Sequence, residues 1–593
     1  MDRNTVLAIV LIGIVLLLMG PYYKWVGGDQ KKSDAVVIDT ILTDTTTVKK
    51  SVPVKEKPAR IETVEQKIAP VNTDSSQIFQ AEKEEVFTIE TEDIRIILSS
   101  RGGGSIKECS LNKYSTWEKQ PVTIINESMG NGISIEFFNT DGVPVNLNDY
   151  IFQTEEPFKN TITLKGNESY TFVFTLPLYD NAVEKSLTFY ATGYHFDLKF
   201  RQKKAGSLLM RDEYYLGWMN GMPSNERNHK DDYSYSEAYV SLGGEEESYS
   251  ISSEEEGKEE EYNGKTDWIA IRTKYFISAI IPVDGNITGA ICSGNGVKIG
   301  DFVERRYNVD LKAKLDPGKL SDTYKVYLGP LDHSVLKKYD VGLEGLVMSR
   351  GWYERTFRPF SLIILAVFKF FQKFISNYGV IIIIFSILVK IVLYPLTRKS
   401  YKSMKEMSKV QPLVAELREK YKNDPQRMNK EMMQLYKEHG INPLGGCLPM
   451  LLQMPLLFAL FIVFRSTIQL RGASFIPGWI NDLSGVEGVA TLPFSLPLYG
   501  DQFNILPIAM AVTMIFQSKM TMQDPKQKAM VYLMPVFMLL IFNQLPSGLN
   551  LYYALFNIWT IIQQKFTDNS KKTEPVKPNT NTGKQIKKGK NKR

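Results

Sequence analysis

The chain of 593 residues carries 71 Lys or Arg against 65 Asp or Glu, a net charge of +6, and 43% of its residues are hydrophobic. Its mean hydropathy of -0.18 averages two unlike kinds of sequence, a polar, strand-patterned stretch over 85–345 and a series of apolar runs over 359–566, so an ordinary soluble enzyme is excluded. Three distant cysteines, Cys109, Cys292 and Cys447, and four scattered histidines, His195, His229, His333 and His439, form no zinc, redox or metalloprotease spacing; isolated buried thiols are favoured over a Cys109 to Cys292 bridge.

The amino terminus, "MDRNTVLAIVLIGIVLLLMGPYYKW", has an apolar run followed by aromatics rather than by a small-residue cleavage site, so residues 1–25 read as an uncleaved membrane anchor. From Val26 to Ile78 there is no Phe, Trp or Tyr, and residues 26–84 read as a disordered linker that cannot bury enough surface to offset its ordering entropy. In 85–345, "FTIETEDIRIILSS" and "VEKSLTFYATGYHFDLKF" alternate apolar and polar residues, and "TDWIAIRTKYFISAIIP" is more continuously apolar. Such period-two patterns with Gly-rich breaks predict a large antiparallel β-sandwich. The Glu-rich run 245–261 is expected to be a solvated loop.

Residues 351–377 have a short apolar core with Lys369 and Lys373 four apart, which suits a helix lying in the interface plane better than a span. Five spans are expected after it, over 378–397, 443–465, 502–519, 529–545 and 547–565. The loop 398–440 holds 11 Lys or Arg against 6 acids, net +5, and 565–593 holds 10 against 2, net +8, whereas 471–501 has one Arg and three acids. Positive segments stay inside, so with six spans both termini and 398–440 are expected in the cytoplasm and the β-domain outside. These basic regions suit ribosomal RNA or anionic lipid. Within 398–440, Met407, Val410, Val414, Leu417 and Tyr421 recur at three and four residues, and Asp424 with Pro425 opens a second helix that Gly440 can end, which predicts a helical hairpin.

Polar residues interrupt the spans. Lys390 stands in "FSILVKIVLYPLT" with Ser386 one turn earlier; Gln453 lies in the third span, and Thr513 and Gln517 in the fourth. Asn550, Tyr553, Asn557, Thr560 and Gln564 make a stripe in the last. Helix-packing hydrogen bonds and a snorkelling lysine account for some of these, but several wet faces together predict a water-accessible groove open to the cytoplasm. The spans 502–519 and 529–545 are near the lower limit for crossing, so the bilayer is expected to thin around them.

At "LYPLT", "NPLGGC", "QMP", "LPSGLNLYY" and "IIQQ", and in the outer part at "TDWIAIRTKYFISAIIP" and "YKVYLGP", the chain resembles the YidC membrane protein insertase family of the Oxa/Alb superfamily along essentially its whole length. The resemblance implies a polytopic α-helical membrane protein of the cell inner membrane with six transmembrane helices. It implies a periplasmic β-supersandwich at 85–345, an interfacial helix at 351–377, a five-helix core at 378–567 including the cytoplasmic hairpin 398–440, and a basic tail at 568–593. It implies insertion and chaperoning of nascent membrane proteins, alone or with the Sec translocon, with the ribosome and membrane lipids as further partners. No catalytic residue, metal, cofactor or small-molecule substrate is expected. The family places a positive residue, usually arginine, in a groove of the core's first helix; here that position is Lys390, and Ser386, Gln453, Tyr553 and Asn557 match groove positions by motif. Gln517 joins them by its polar face. A lysine keeps the attraction for acidic client residues but not the fork geometry of a guanidinium.

Two other function classes compete. A secondary transporter would show duplicated broken helices, and no such duplication is visible, although Pro449, Pro455 and Pro535 could break helices. "NGKT", Asn263 to Thr266, ends like a nucleotide loop, but Glu259 stands where the first glycine is required; a sugar-processing site in the β-domain is the remaining enzyme reading.

Overall fold

The computed structural model describes residues 78–154, 160–204, 208–251, 257–300, 302–440, 448–496, 498–521 and 528–569. The expected anchor, most of the linker and nearly all of the basic tail lie outside them. The chain divides into two compact units, one ending at Leu331 but including Tyr339–Gly342, the other made of Asp332–Lys338 and everything from Leu343 onward.

The first unit is built from three sheets. Five strands run in the order 121–126, 105–115, 94–99, 86–90 and 161–163; nine in the order 245–249, 237–242, 266–272, 276–282, 321–330, 195–202, 181–190, 169–178 and 153–154; six in the order 260–263, 286–299, 302–314, 213–219, 132–138 and 144–146. Pairing is antiparallel except for 86–90 with 161–163. Strict alternation explains the layering. In Asn181–Tyr190 every second residue is buried, which puts Val183, Leu187 and Phe189 in the core and carries Lys185 inward with them. The two strands of "TDWIAIRTKYFISAIIP" are buried on both faces, which is why their apolar pattern is continuous.

Two expectations are corrected here. The linker does not reach residue 84. Ile78 bridges to Leu178, the Phe79 and Ala81 amides bond to the Pro177 and Ile151 carbonyls, and Glu84 accepts from Ser99 and meets Arg101 and Lys107. Those hydrogen bonds and charges hold the Glu84 carboxyl down at about 2 and tie the segment to the sheet. Nor is the Glu-rich run simply a loop. Glu245–Tyr249 and Glu260–Asn263 are strands at the edge of the nine-stranded and six-stranded sheets. Carboxylates on an edge deter pairing with another chain, so the charge and the strand are compatible. Cys109 and Cys292 are buried free thiols.

The second unit is helical: α1 (Trp352–Gln372), α2 (Tyr378–Lys420), α3 (Pro425–Glu438), α4 (Leu448–Ser466), α5 (Ile505–Thr521), α6 (Lys528–Phe542) and α7 (Ser547–Asn569). Asn377 caps α2 by accepting from the Gly379 and Val380 amides, and Asp424 caps α3 by accepting from Arg427. A separate helix was expected to begin after residue 397, yet α2 runs unbroken through Pro395 and Pro412, as α4 and α6 run through Pro455 and Pro535. Beyond its apolar half, α2 packs against α3 through Val410, Val414 and Tyr436, with Met407, Met432 and Leu435 around them. Among the described residues Tyr378–Arg398 is long and apolar enough to cross a membrane; Gln453–Ser466, Ile505–Met520 and Val531–Phe542 are shorter apolar helices.

The segment before α1 is tied down by Asp332, which caps the turn His333–Leu336, meets Lys369 of α1 at 3.4 Å and accepts from Gln469. Burial raises the Asp332 carboxyl, but the Ser334 hydrogen bonds and the Lys369 charge outweigh it and hold the group below its ordinary value. Lys369, expected to face water at an interface, is thus partly engaged in this junction.

Candidate functional site

α7 is the hub of the polar residues, because its stripe meets a different helix at each turn. Near its start Asn550 donates to the Phe542 carbonyl at 3.0 Å, and Tyr553 is buried between the rings of Phe542 and Tyr552, with Gln453 of α4 facing its hydroxyl. One turn on, Asn557 donates to the Thr513 hydroxyl at 3.2 Å and to the Met510 carbonyl at 3.4 Å, both on α5. Gln517, a further turn along α5, is half-buried.

On the side of α7 that meets α2, Lys390 donates to the Thr560 hydroxyl at 2.6 Å, makes a longer contact of 3.5 Å to the Gln563 carbonyl oxygen, and stands 4.0 Å above the Phe556 ring. Phe556, Thr560 and Gln563 fall at i, i+4 and i+7, one face of one helix. Gln563 in turn donates to Thr397 at 3.1 Å, and Tyr401 stands beside Thr560 and Gln564. Ser386, fully buried, accepts from the Trp559 indole at 3.1 Å and donates to the Ile383 carbonyl. The three groups that meet the ammonium are all neutral. A compact ammonium with three donors fits two oxygens and a ring face, whereas a planar guanidinium would have to displace one of them.

Four of the six expected residues, Ser386, Lys390, Tyr553 and Asn557, thus converge on α7 or belong to it, and Gln453 joins through Tyr553. Gln517 shares the α5 face with Thr513. The openness expected of a groove is not what these side chains present: Ser386 is 0% exposed, Asn557 7%, Lys390 9% and Tyr553 9%. They form a buried polar cluster along α7, with Gln453 and Gln517 half-buried beside it. Sequence reasoning missed Thr397, Phe556, Trp559 and Gln563. Trp559 and Gln563 each stand one position before a member of the stripe, Thr560 and Gln564, so widening the stripe by one position on that side would have found them.

Two families match the chain, the 60Kd inner membrane protein over residues 370–574 and the YidC periplasmic domain over residues 86–355. The "Membrane protein insertase YidC" of Pelodictyon phaeoclathratiforme is 35% identical over 592 residues, covering 98% of this chain and 97% of the relative. That of Chlorobaculum parvum is 36% identical over 577 residues, covering 95% and 94%. A solved structure titled "Active YidC insertase crystal structure with the first transmembrane domain resolved" is 20% identical with a TM-score of 0.33, covering 83% of this chain and 93% of that one. With two relatives above 30% identity along nearly their whole length, the chain belongs to the YidC membrane protein insertase family.

Proposed function

We propose that the chain inserts nascent membrane proteins into the inner membrane by binding them, without covalent chemistry, beside the polar cluster of α2 and α7. In this reading α2, α4, α5, α6 and α7 are spans and the amino-terminal anchor is the sixth. The hairpin of α2 and α3 and both termini face the cytoplasm, and the β-unit faces the periplasm. The charge asymmetry of the loops supports that orientation.

The observation that carries the mechanism is a cation whose partners among the described residues are neutral, Lys390 between Thr560, Gln563 and Phe556, inside a helix otherwise apolar enough to cross a membrane. An ammonium in that setting gains by meeting an acidic or strongly polar stretch of an incoming chain. The buried cluster is the resting form; a client's polar stretch displaces Thr560 and Gln563 from Lys390 and shelters there, and its apolar segment then partitions into lipid because burial of that surface is favourable. Hydrogen bonds of this kind between helices are each worth only about 0.6 kcal/mol on average, so exchange costs little. The ribosome, through the basic segments, and the Sec translocon are the partners of this reading.

The test is insertion of a single-spanning client into vesicles carrying the purified protein. Lys390→Ala is expected to weaken insertion and Lys390→Arg largely to preserve it; undiminished insertion by the alanine variant would falsify the mechanism. Crosslinkers at 386, 390 and 553 are expected to capture a stalled nascent chain.

A further inference from the structure

Between α4 and α5 lies a small ribbon, strands Ala490–Leu496 and Gly500–Phe503, that the apolar spans around it do not explain. A two-stranded ribbon is marginal in water by itself, and this one presents side chains that water disfavours: Phe494 is 57% exposed, Leu498 51%, Leu496 44% and Phe503 38%. Residues 486–503 contain no Lys or Arg. Of their two carboxylates, Glu487 is turned inward, accepting from the Leu506 amide at 2.7 Å and from the Trp479 indole, and Asp501 is exposed.

What covers the ribbon is indicated by where it is fixed. Asn504 donates to the Asn543 carbonyl at 2.8 Å, and Asn543 donates back to the Tyr499 and Gln502 carbonyls at 2.8 and 2.7 Å. This buried clamp holds the ribbon at the start of α5 and the end of α6. Among the described residues those helices are Ile505–Thr521 and Lys528–Phe542, and the apolar runs of the sequence there, 502–519 and 529–545, are near the lower limit for crossing the roughly 30 Å hydrocarbon layer. Their outward faces are apolar, with Phe516 58%, Leu533 52% and Val536 50% exposed. The ribbon adjoins that apolar belt at the end where Asn504 and Asn543 hold it. Its turn adds an independent sign. Leu498 has φ 68, a left-handed position where Gly or Asn would be less strained, so an apolar tip is kept against the backbone's preference.

We propose that the ribbon of Ala490–Leu496 and Gly500–Phe503 is seated in the lipid interface, Phe494 and Leu498 at the boundary between headgroups and acyl chains and Asp501 at headgroup level. The apolar side chains then leave water as those of an interfacial helix do. The inference rests on α5 and α6 being membrane spans, and its partner is lipid rather than protein.

The test uses the full chain in phosphatidylcholine vesicles with Cys447→Ser, Cys109 and Cys292 being buried. Nitroxide labels are placed singly at Phe494→Cys and Leu498→Cys, with Ile391→Cys in the apolar half of α2 and Glu259→Cys in the β-unit as references. The ratio of collisions with oxygen to those with a water-soluble nickel chelate is expected to approach the 391 value at 494 and 498, and to exceed the 259 value. A ratio at 494 and 498 equal to that at 259, with 391 high, overturns the proposal and leaves the spans standing. A low ratio at 391 overturns the spans and the proposal with them. Loss of collisions with both reagents at 494 and 498 assigns the ribbon to a protein partner or a second copy, which also overturns it.

Discussion

Among the described residues three lysines are buried; Lys274 pairs with Asp231 at 2.9 Å, whereas Lys185 and Lys390 are held by oxygen rather than by an opposite charge. In the β-unit Lys185 is 2% exposed, donates to the Gly102 carbonyl at 2.6 Å, and is pushed down to about 7 by burial. Between about 7 and the ordinary 10.5 the unfolded chain holds a proton that the folded chain has released, so stability rises with pH through that window. Thermal melting from pH 6 to 10.5 is expected to show this rise, on the order of a few kcal/mol, and Lys185→Met to flatten it; equal slopes for both proteins would refute the assignment. For Lys390 the informative change is Thr560→Val, which removes the 2.6 Å acceptor. It is expected to lower stability in detergent by about 1–3 kcal/mol, because a buried donor is left unsatisfied. Lys390 was legible because a charge interrupts an apolar run. Lys185 was not singled out, since a lysine in an alternating strand reads as outward, although its parity with Val183 and Leu187 places it inside. Its partner is a backbone carbonyl, which no side-chain pattern announces.

Each helix of the second unit carries its own signal, and the misreadings have local causes. The seam of α2 and α3 rests on three buried side chains, so Val414→Ala is expected to cost about 1–2 kcal/mol and to raise hydrogen exchange in 425–438 while leaving 378–398 protected. At the ribbon, Asn543→Leu strips donors from the Tyr499 and Gln502 carbonyls and should cost about 1–3 kcal/mol, read as faster proteolysis within 486–503. The end of the α2 apolar run at Arg398 was visible, but not that the helix continues, since Pro395 argues for a stop. The ribbon was missed because Pro493 and Pro497 demote a strand reading. Which faces of α2, α5 and α7 meet was legible only as polar stripes; the rotation that pairs Trp559 with Ser386 is set by packing among several helices and leaves no trace in any one of them.

Taken as a whole, the chain joins a unit whose order comes from strand pairing to one whose order comes from apolar helices, and composition alone separated them. In the proposed orientation the basic segments stay inside. Cysteines at Glu259 and Lys422, both exposed, are therefore expected to react with an impermeant reagent from opposite sides of sealed inner-membrane vesicles; labelling from the same side would refute the arrangement. The uninterrupted α2 has a mechanical consequence. Tyr378 to Lys420 is about 63 Å of continuous helix with Pro395 and Pro412 inside it, and a rigid 5° swing about its first residue would carry the far tip about 5.5 Å but Lys390 only about 1.6 Å. A large jostle at the tip is geared down to a displacement comparable with the stretch that parts a hydrogen bond.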